Sequence, residues 1–319
     1  MQETIIDTDI EMAAKLLLAG DCVAIPTETV YGLAGNALNE EIVLKIFEVK
    51  NRPHFDPLIV HCDSIESVKN YVKHLPDWAL QLMQKFSPGP ITFLLEKKNN
   101  IPDLVTSGLN TVAIRIPKHP LTLQLLQRLD FPLAAPSANP FGYISPTSAK
   151  HVKDQLNGKI KFILDGGNCH VGVESTIIGL ENNLPTIFRV GGVAIEDIEN
   201  EIGKIQVKTS SSSPHAPGML LSHYAPRKPL LLGDVENGLA IYNSKKIGLI
   251  SFHKNYDAVK KENQIQLSAK KDLHEAAKKL FAAMRKLDES DVEIILAERF
   301  PDEGLGRAIN DRLQRASVH

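Results

Sequence analysis

Lys50 and Arg52 set two cations one residue apart, directly before Pro53. Lysine carries a compact point charge and arginine a planar two-pronged donor. Held by the proline, the pair suits two parts of one polyphosphate. The same residues also read as a basic helix end facing the negative pole of the backbone dipole. Other polar side chains fall where loops should leave strands. Thr27, Glu28 and Thr29 follow an apolar run at 22–26, His61 closes one at 57–62, and Ser137, Asn139 and Ser145 follow one at 132–136. Open α/β sheets bind their ligands at such strand ends. Singly, each also reads as a cap, a turn or a structural histidine.

Within Thr111-Val-Ala-Ile-Arg115-Ile-Pro117 an arginine interrupts an apolar strand. Alternation sends Thr111, Ala113 and Arg115 to one face, so Thr111 and Arg115 can address one bound anion. Asp165-Gly-Gly, Glu174-Ser175-Thr176 and Arg189-Val-Gly191 add polar groups that fit turns equally well. Ser175 lacks the flanking glycines of a hydrolase nucleophile elbow. Neither the lysine-containing phosphate loop nor the dinucleotide glycine fingerprint occurs. Local chemistry alone therefore stops at an anion-binding α/β protein of enzyme type.

The elements that must position these groups alternate along the chain. Helical patterns at 11–19, 40–50, 64–73, 77–86 and 193–202 are interleaved with apolar strand runs at 22–26, 57–62, 91–96, 112–117, 132–136 and 161–167. That alternation predicts an α/β layer fold. Two further runs, Ser175–Leu180 and Thr186–Val190, are joined by a short polar stretch, which predicts an antiparallel hairpin and a mixed sheet. At 208–229 four prolines and a serine run break regular structure, marking a linker between a domain at 1–207 and a smaller one at 230–319. Met219, Leu220, Leu221, His223 and Tyr224 within it are types that dock onto a surface. The smaller domain predicts strands near 230–234, 245–252, 263–268 and 292–300, with helices at 270–287 and 307–316. Gly304-Leu305-Gly306 reads as a tight turn into the last helix, or as exposed amides for a phosphate.

With 319 residues, two domains with cores of their own are expected. A net charge of -2 gives no global field to attract nucleic acid. No apolar run reaches the ~20 residues that span a bilayer, and the acidic N-terminal stretch is unlike a signal peptide. Three scattered cysteines suit reduced thiols, and Cys169-His170 has no second ligand pair for zinc. These features place the protein in the cytoplasm.

The ordered set Pro26-Thr-Glu-Thr-Val-Tyr-Gly-Leu33, Lys50-x-Arg52, Pro57-Leu-Ile-Val-His61, Ser87-Pro-Gly-Pro-Ile-Thr92, Ser137-x-Asn139, Glu174-Ser-Thr-Ile177 and Arg189-x-Gly191 resembles the YrdC-like family. Ala216-Pro-Gly-Met219, Ser222-His-Tyr-Ala-Pro226, and Gly304-Leu-Gly-x-Ala-Ile309 followed by Arg312-Leu resemble its long, two-domain form. The likeness implies a twisted mixed open sheet around a large basic cavity, plus a smaller Rossmann-like α/β domain, with the linker as a lid. It implies L-threonylcarbamoyladenylate synthase activity. In that reaction L-threonine, bicarbonate and ATP, with Mg²⁺, give threonylcarbamoyl-AMP and pyrophosphate for a separate tRNA threonylcarbamoyl transferase.

By the same resemblance Lys50 and Arg52 are the catalytic pair. Thr29, His61, Arg115 and Ser175 bind threonine and bicarbonate. Lys50, Arg52, Asp56, Thr111, Ser137, Asn139, Ser145, Arg189 and Tyr224 bind ATP, and no side chain is assigned to a metal. Two other readings compete. A basic cavity would also suit double-stranded RNA, against which the net charge argues, leaving at most a weak RNA contact. Related carbamoyl-transferring proteins carry acylphosphatase-like and zinc-finger regions that have no counterpart here.

Overall fold

The computed structural model describes residues 3–209, 222–243 and 245–318. The linker stretch Ala216–Met219, with Leu220 and Leu221, lies outside the described residues. Eleven strands form the first sheet: β1 (Ile5–Asp7), β2 (Val23–Ile25), β3 (Gly32–Asn36), β4 (Ile59–His61), β5 (Ile91–Glu96), β6 (Thr111–Arg115), β7 (Leu133–Ala134), β8 (Phe162–Leu164), β9 (Thr176–Glu181), β10 (Leu184–Arg189) and β11 (Gln206–Val207). Their spatial order is β1-β8-β2-β3-β7-β4-β6-β5-β9-β10-β11. The sheet is mixed, as expected. β9 and β10 form the predicted antiparallel hairpin, turned by Asn182 and Asn183 at φ 52° and 64°, the left-handed pair that a two-residue hairpin loop requires.

β3 was not expected. Its sequence Gly-Leu-Ala-Gly-Asn reads as a loop, yet it pairs antiparallel with both β2 and β7. Tight packing explains the small residues. A Cβ added at Gly35 would meet the Ile42 side chain at 2.7 Å, and one at Gly32 would meet Ala135 at 3.1 Å. Neighbouring elements therefore seat directly on the strand.

The second sheet has four parallel strands, β12 (Leu230–Gly233), β13 (Ile247–Ser251), β14 (Gln264–Gln266) and β15 (Ile294–Glu298), in the order β12-β15-β13-β14. Helices Leu273–Glu289 and Gly304–Ala316 pack against this sheet. Both differ slightly from the expected bounds. The last begins at Gly304, so the Gly-Leu-Gly segment is its first turn rather than a preceding one. Gly306 has no room for a Cβ, which would meet the Pro301 carbonyl oxygen at 2.0 Å.

One core cluster runs from Val43 and Phe93 in the first unit to Phe281, Leu287 and Leu313 in the second. The two units are thus packed together, and the last two helices reach the loops of the first. Among the described residues, no helix is long and apolar enough to cross a membrane.

Candidate active site at the strand ends

Sheet topology gathers the polar strand ends. β4 and β6 run parallel with His61 opposite Arg115. β5 is antiparallel to β6, β9 parallel to β5, and β10 antiparallel to β9. Thr92 near the start of β5, Ser175 just before β9 and Arg189 at the end of β10 therefore come to the same edge as Arg115. Thr29, Arg52, His61, Arg115, Ser137, Arg189 and Tyr224 line one cavity.

That cavity is small, about 50 Å³. Small-molecule pockets usually measure ~300–1,000 Å³. The difference from the expected large cavity has a visible cause: His223 and Tyr224 sit in the cavity wall, both buried. Their rings stack edge-on at 4.2 Å, and Phe281 backs Tyr224 at 5.5 Å. Tyr224 takes φ 64°, a left-handed conformation that costs a bulky residue ~1–3 kcal/mol and is sustained here by packing.

Two of the cavity arginines, Arg115 and Arg52, are matched to carboxylates. Arg115 places Nη2 2.7 Å from Glu28 Oε1 and donates from Nη1 to Thr29 Oγ1 at 3.0 Å and from Nε to the Gly89 carbonyl. Arg52 places Nη2 2.9 Å from Asp56 Oδ2 and donates to the Asp56 and Pro57 carbonyls. Both charge contacts are off-line for hydrogen bonds, so neither Asp56 carboxylate oxygen has a donor among the described residues. Burial accordingly pushes the Asp56 carboxyl up, against the pull of Arg52. Arg189 donates to the Ser175 carbonyl at 3.0 Å and to Ser175 Oγ at 2.9 Å, and Ser175 Oγ is 2.7 Å from Thr92 Oγ1. Burial lowers Arg189 to about 10, which leaves it cationic at neutral pH. Glu174 accepts from Ser145 Oγ at 2.6 Å and from Arg312 Nε at 2.7 Å.

Such a wall, rich in guanidinium and hydroxyl donors, has the chemistry to hold and orient an anion. Residues 15–191 match the family model described as telomere recombination, and residues 193–318 the model described as threonylcarbamoyl-AMP synthase, C-terminal domain. A Pyrococcus abyssi protein named threonylcarbamoyl-AMP synthase is 40% identical, the match covering 99% of this chain and 96% of that one. The chain belongs to the threonylcarbamoyl-AMP synthase family. A Bacillus subtilis protein of the same name is also 40% identical, over 98% of this chain and 93% of its own length. The solved structure of P. abyssi Sua5 complexed with L-threonine superposes with a TM-score of 0.92 at 39% identity, over 99% and 97% of the two chains.

Against that family's fold, the remaining residues singled out from sequence lie in distinct places. Lys50 is buried behind the cavity wall, where Nζ donates to the carbonyls of Ser137 and, at 2.6 Å, Asn139. Burial, and then the nearby Arg52, pull its ammonium well below the usual lysine range. Asn139 turns its amide onto the Pro140 and Tyr143 carbonyls, and Ser145 faces Glu174. Thr111 is at the other end of β6 from Arg115, about 13 Å away at ~3.3 Å per residue. It borders a separate groove with Trp78, Leu94 and Phe188, so the two do not address one small anion. Glu28, Glu174, His223 and Arg312 fall in motifs noted from sequence but were assigned to no substrate. For the two glutamates the signal is a buried charge beside the cavity, which depends on pairing with Arg115 and Arg312 across 87 and 138 residues and has no local pattern.

Proposed function

We propose that the chain condenses L-threonine, bicarbonate and ATP into threonylcarbamoyl-AMP and pyrophosphate, for the threonylcarbamoyl modification of tRNA adenosine by a separate transferase. The supporting observation is the cavity wall that gathers Arg52, Arg115 and Arg189 with Thr29 and, on Arg189, Ser175, in a chain of this family over its whole length. Threonine's amine attacks the bicarbonate carbon and water leaves. The resulting carbamate oxygen attacks the α-phosphorus, and pyrophosphate departs. Neither step uses a protein nucleophile. Both need anions held together, charge neutralised and water excluded.

In this reading Arg115, with Thr29 on its Nη1 and Ser175 nearby, holds threonine's carboxylate. His61 stays neutral, its pKa lowered to about 3 by burial and then by Arg115. With Nδ1 assigned as donor to the Ile59 carbonyl at 3.2 Å, Nε2 is left to accept from threonine's hydroxyl or ammonium. Arg52 and Arg189 receive the phosphates. Lys50 acts one layer back, fixing the Ser137–Asn139 backbone against them. Mg²⁺ would arrive on the nucleotide, because Asp56, Glu28 and Glu174 are each matched to an arginine; it would add charge neutralisation at the phosphates. Domains at 1–207 and 230–319, joined by a 208–229 lid, complete the proposal. His223 and Tyr224 must withdraw for ATP to enter.

Pyrophosphate release from Mg-ATP, with threonine and bicarbonate each omitted in turn, tests this. Release that needs both, with an acid-labile threonyl adduct of AMP, supports it. Release indifferent to threonine refutes it.

A further inference from the structure

Arg312 is a charge on an apolar stripe. In the helix Gly304–Ala316, Leu305, Ala308, Ile309, Leu313 and Ala316 form its buried face, and Arg312 lies among them fully buried. Burying a cation in this way is strongly unfavourable unless a partner requires it. Its Nε donates to Glu174 Oε2 at 2.7 Å and its Nη1 to the Val190 carbonyl at 3.0 Å and Asp311 Oδ2 at 2.6 Å. Its guanidinium lies 5.3 Å from the Tyr224 ring centre. Nη2, also buried, has no hydrogen-bond partner among the described residues.

Glu174 lines the same cavity as Arg189 and immediately precedes Ser175, on which Arg189 is fixed. Burial alone would raise its carboxyl, yet Arg312 and then Arg189 hold it below the usual glutamate range. Arg189 is the cation whose donors fix Ser175. Without Arg312, this buried carboxylate keeps the Ser145 hydroxyl as a donor, and Arg189 in the same cavity wall is a cation to which it can turn.

We infer that Arg312, supplied by the last helix of the smaller domain, is a positioning residue of the active site. It claims Glu174 so that Arg189 stays directed at Ser175 and at the substrate anion. The smaller domain then completes the catalytic wall as well as backing the Tyr224 lid. This inference rests on the proposed synthase activity.

The test is a double-substitution cycle with pyrophosphate release as readout. Arg312→Met is expected to raise the KM for ATP about 30-fold with a smaller change in kcat, a coupling of ordinary size for paired buried charges. Glu174→Gln in the same chain removes the competing carboxylate and should restore kcat/KM to within about fivefold of wild type. A neutral pair often folds as well as the ion pair it replaces, so the double variant stays measurable even if Arg312→Met alone does not fold. A folded double variant that remains as impaired as Arg312→Met, or that stays inactive where Arg312→Met did not fold, overturns the inference. It would mean that Arg312 only clasps the two units or backs Tyr224. Wild-type protein with no threonine-dependent release would instead overturn the synthase reading.

Discussion

His61 and Arg115 are Cα partners across the parallel strands β4 and β6, both buried at the cavity. A neutral imidazole is thus held beside a permanent cation. His61 is lowered to about 3 by burial first, and His223 likewise to about 3 by burial and then Arg52. Each takes up a proton in the unfolded chain near 6.5 but not in the folded one. Stability therefore falls as pH drops below about 6.5, by about 2 kcal/mol per histidine between pH 7 and 5. Burial lowers His151 to about 4 as well, so it adds to the same fall; denaturant unfolding at the two pH values checks this, and His61→Gln should remove about 2 kcal/mol of it. In wild type, no ring in the cavity should titrate by NMR between pH 5 and 9.

Arg52 is paired with Asp56 and is proposed to receive phosphate as well, and the two roles separate by mutation. Arg52→Gln leaves Asp56 buried without its cation and is expected to cost about 3 kcal/mol of stability, with turnover lost by more than ~100-fold. Adding Asp56→Asn should return most of the stability and none of the turnover. Chemical denaturation beside pyrophosphate release separates the two effects. Recovery of turnover in the double variant would remove Arg52 from the phosphate site.

How much of this was legible follows from what each signal requires. The mixed sheet was readable because apolar runs and the Asn182-Asn183 hairpin are local patterns. β3 was not, since Gly32 and Gly35 are chosen by the side chains of Ala135 and Ile42 pressing on them, which the local sequence does not display. Arg115 could be placed on a strand face by alternation, and its convergence with His61, Thr29 and Arg189 follows from strand ends. Thr111 shares that face but lies at the other end of the same strand. That Glu28 and Glu174 pair with arginines at the cavity was not legible for a different reason: those arginines are 87 and 138 positions away, set by topology alone.

Lys50 donates to two buried carbonyls, and this sets the form of its defect. Lys50→Met leaves the Ser137 and Asn139 carbonyls unsatisfied at about 1–3 kcal/mol each. Stability should fall by about 3 kcal/mol, and ATP binding by roughly tenfold, as the loop loosens. Calorimetric titration with a non-hydrolysable ATP analogue measures the second effect. A thousandfold loss of kcat with unchanged analogue binding would put the lysine on the phosphates themselves.

Tyr224 closes the cavity with its ring rather than with its hydroxyl. Burial, and then Glu174, push the phenol up to about 12, so it remains neutral across the working range and gives no ionised form to the chemistry. The ring carries the contacts: Arg312 at 5.3 Å, Phe281 at 5.5 Å and His223 at 4.2 Å. Tyr224→Phe preserves all three and should hold turnover within about threefold of wild type, with an unchanged pH profile. Tyr224→Ala removes them and opens the wall to water, where the carbamate decomposes before it meets ATP. Its expected signature is uncoupling. Threonine-dependent adduct should fall by more than ~10-fold, while ATP still binds, because Arg52 and Arg189, the arginines proposed to receive phosphate, stay in place. Parallel measurement of adduct and of ATP affinity decides the point, and equal losses in both would make Tyr224 a nucleotide contact instead of a seal.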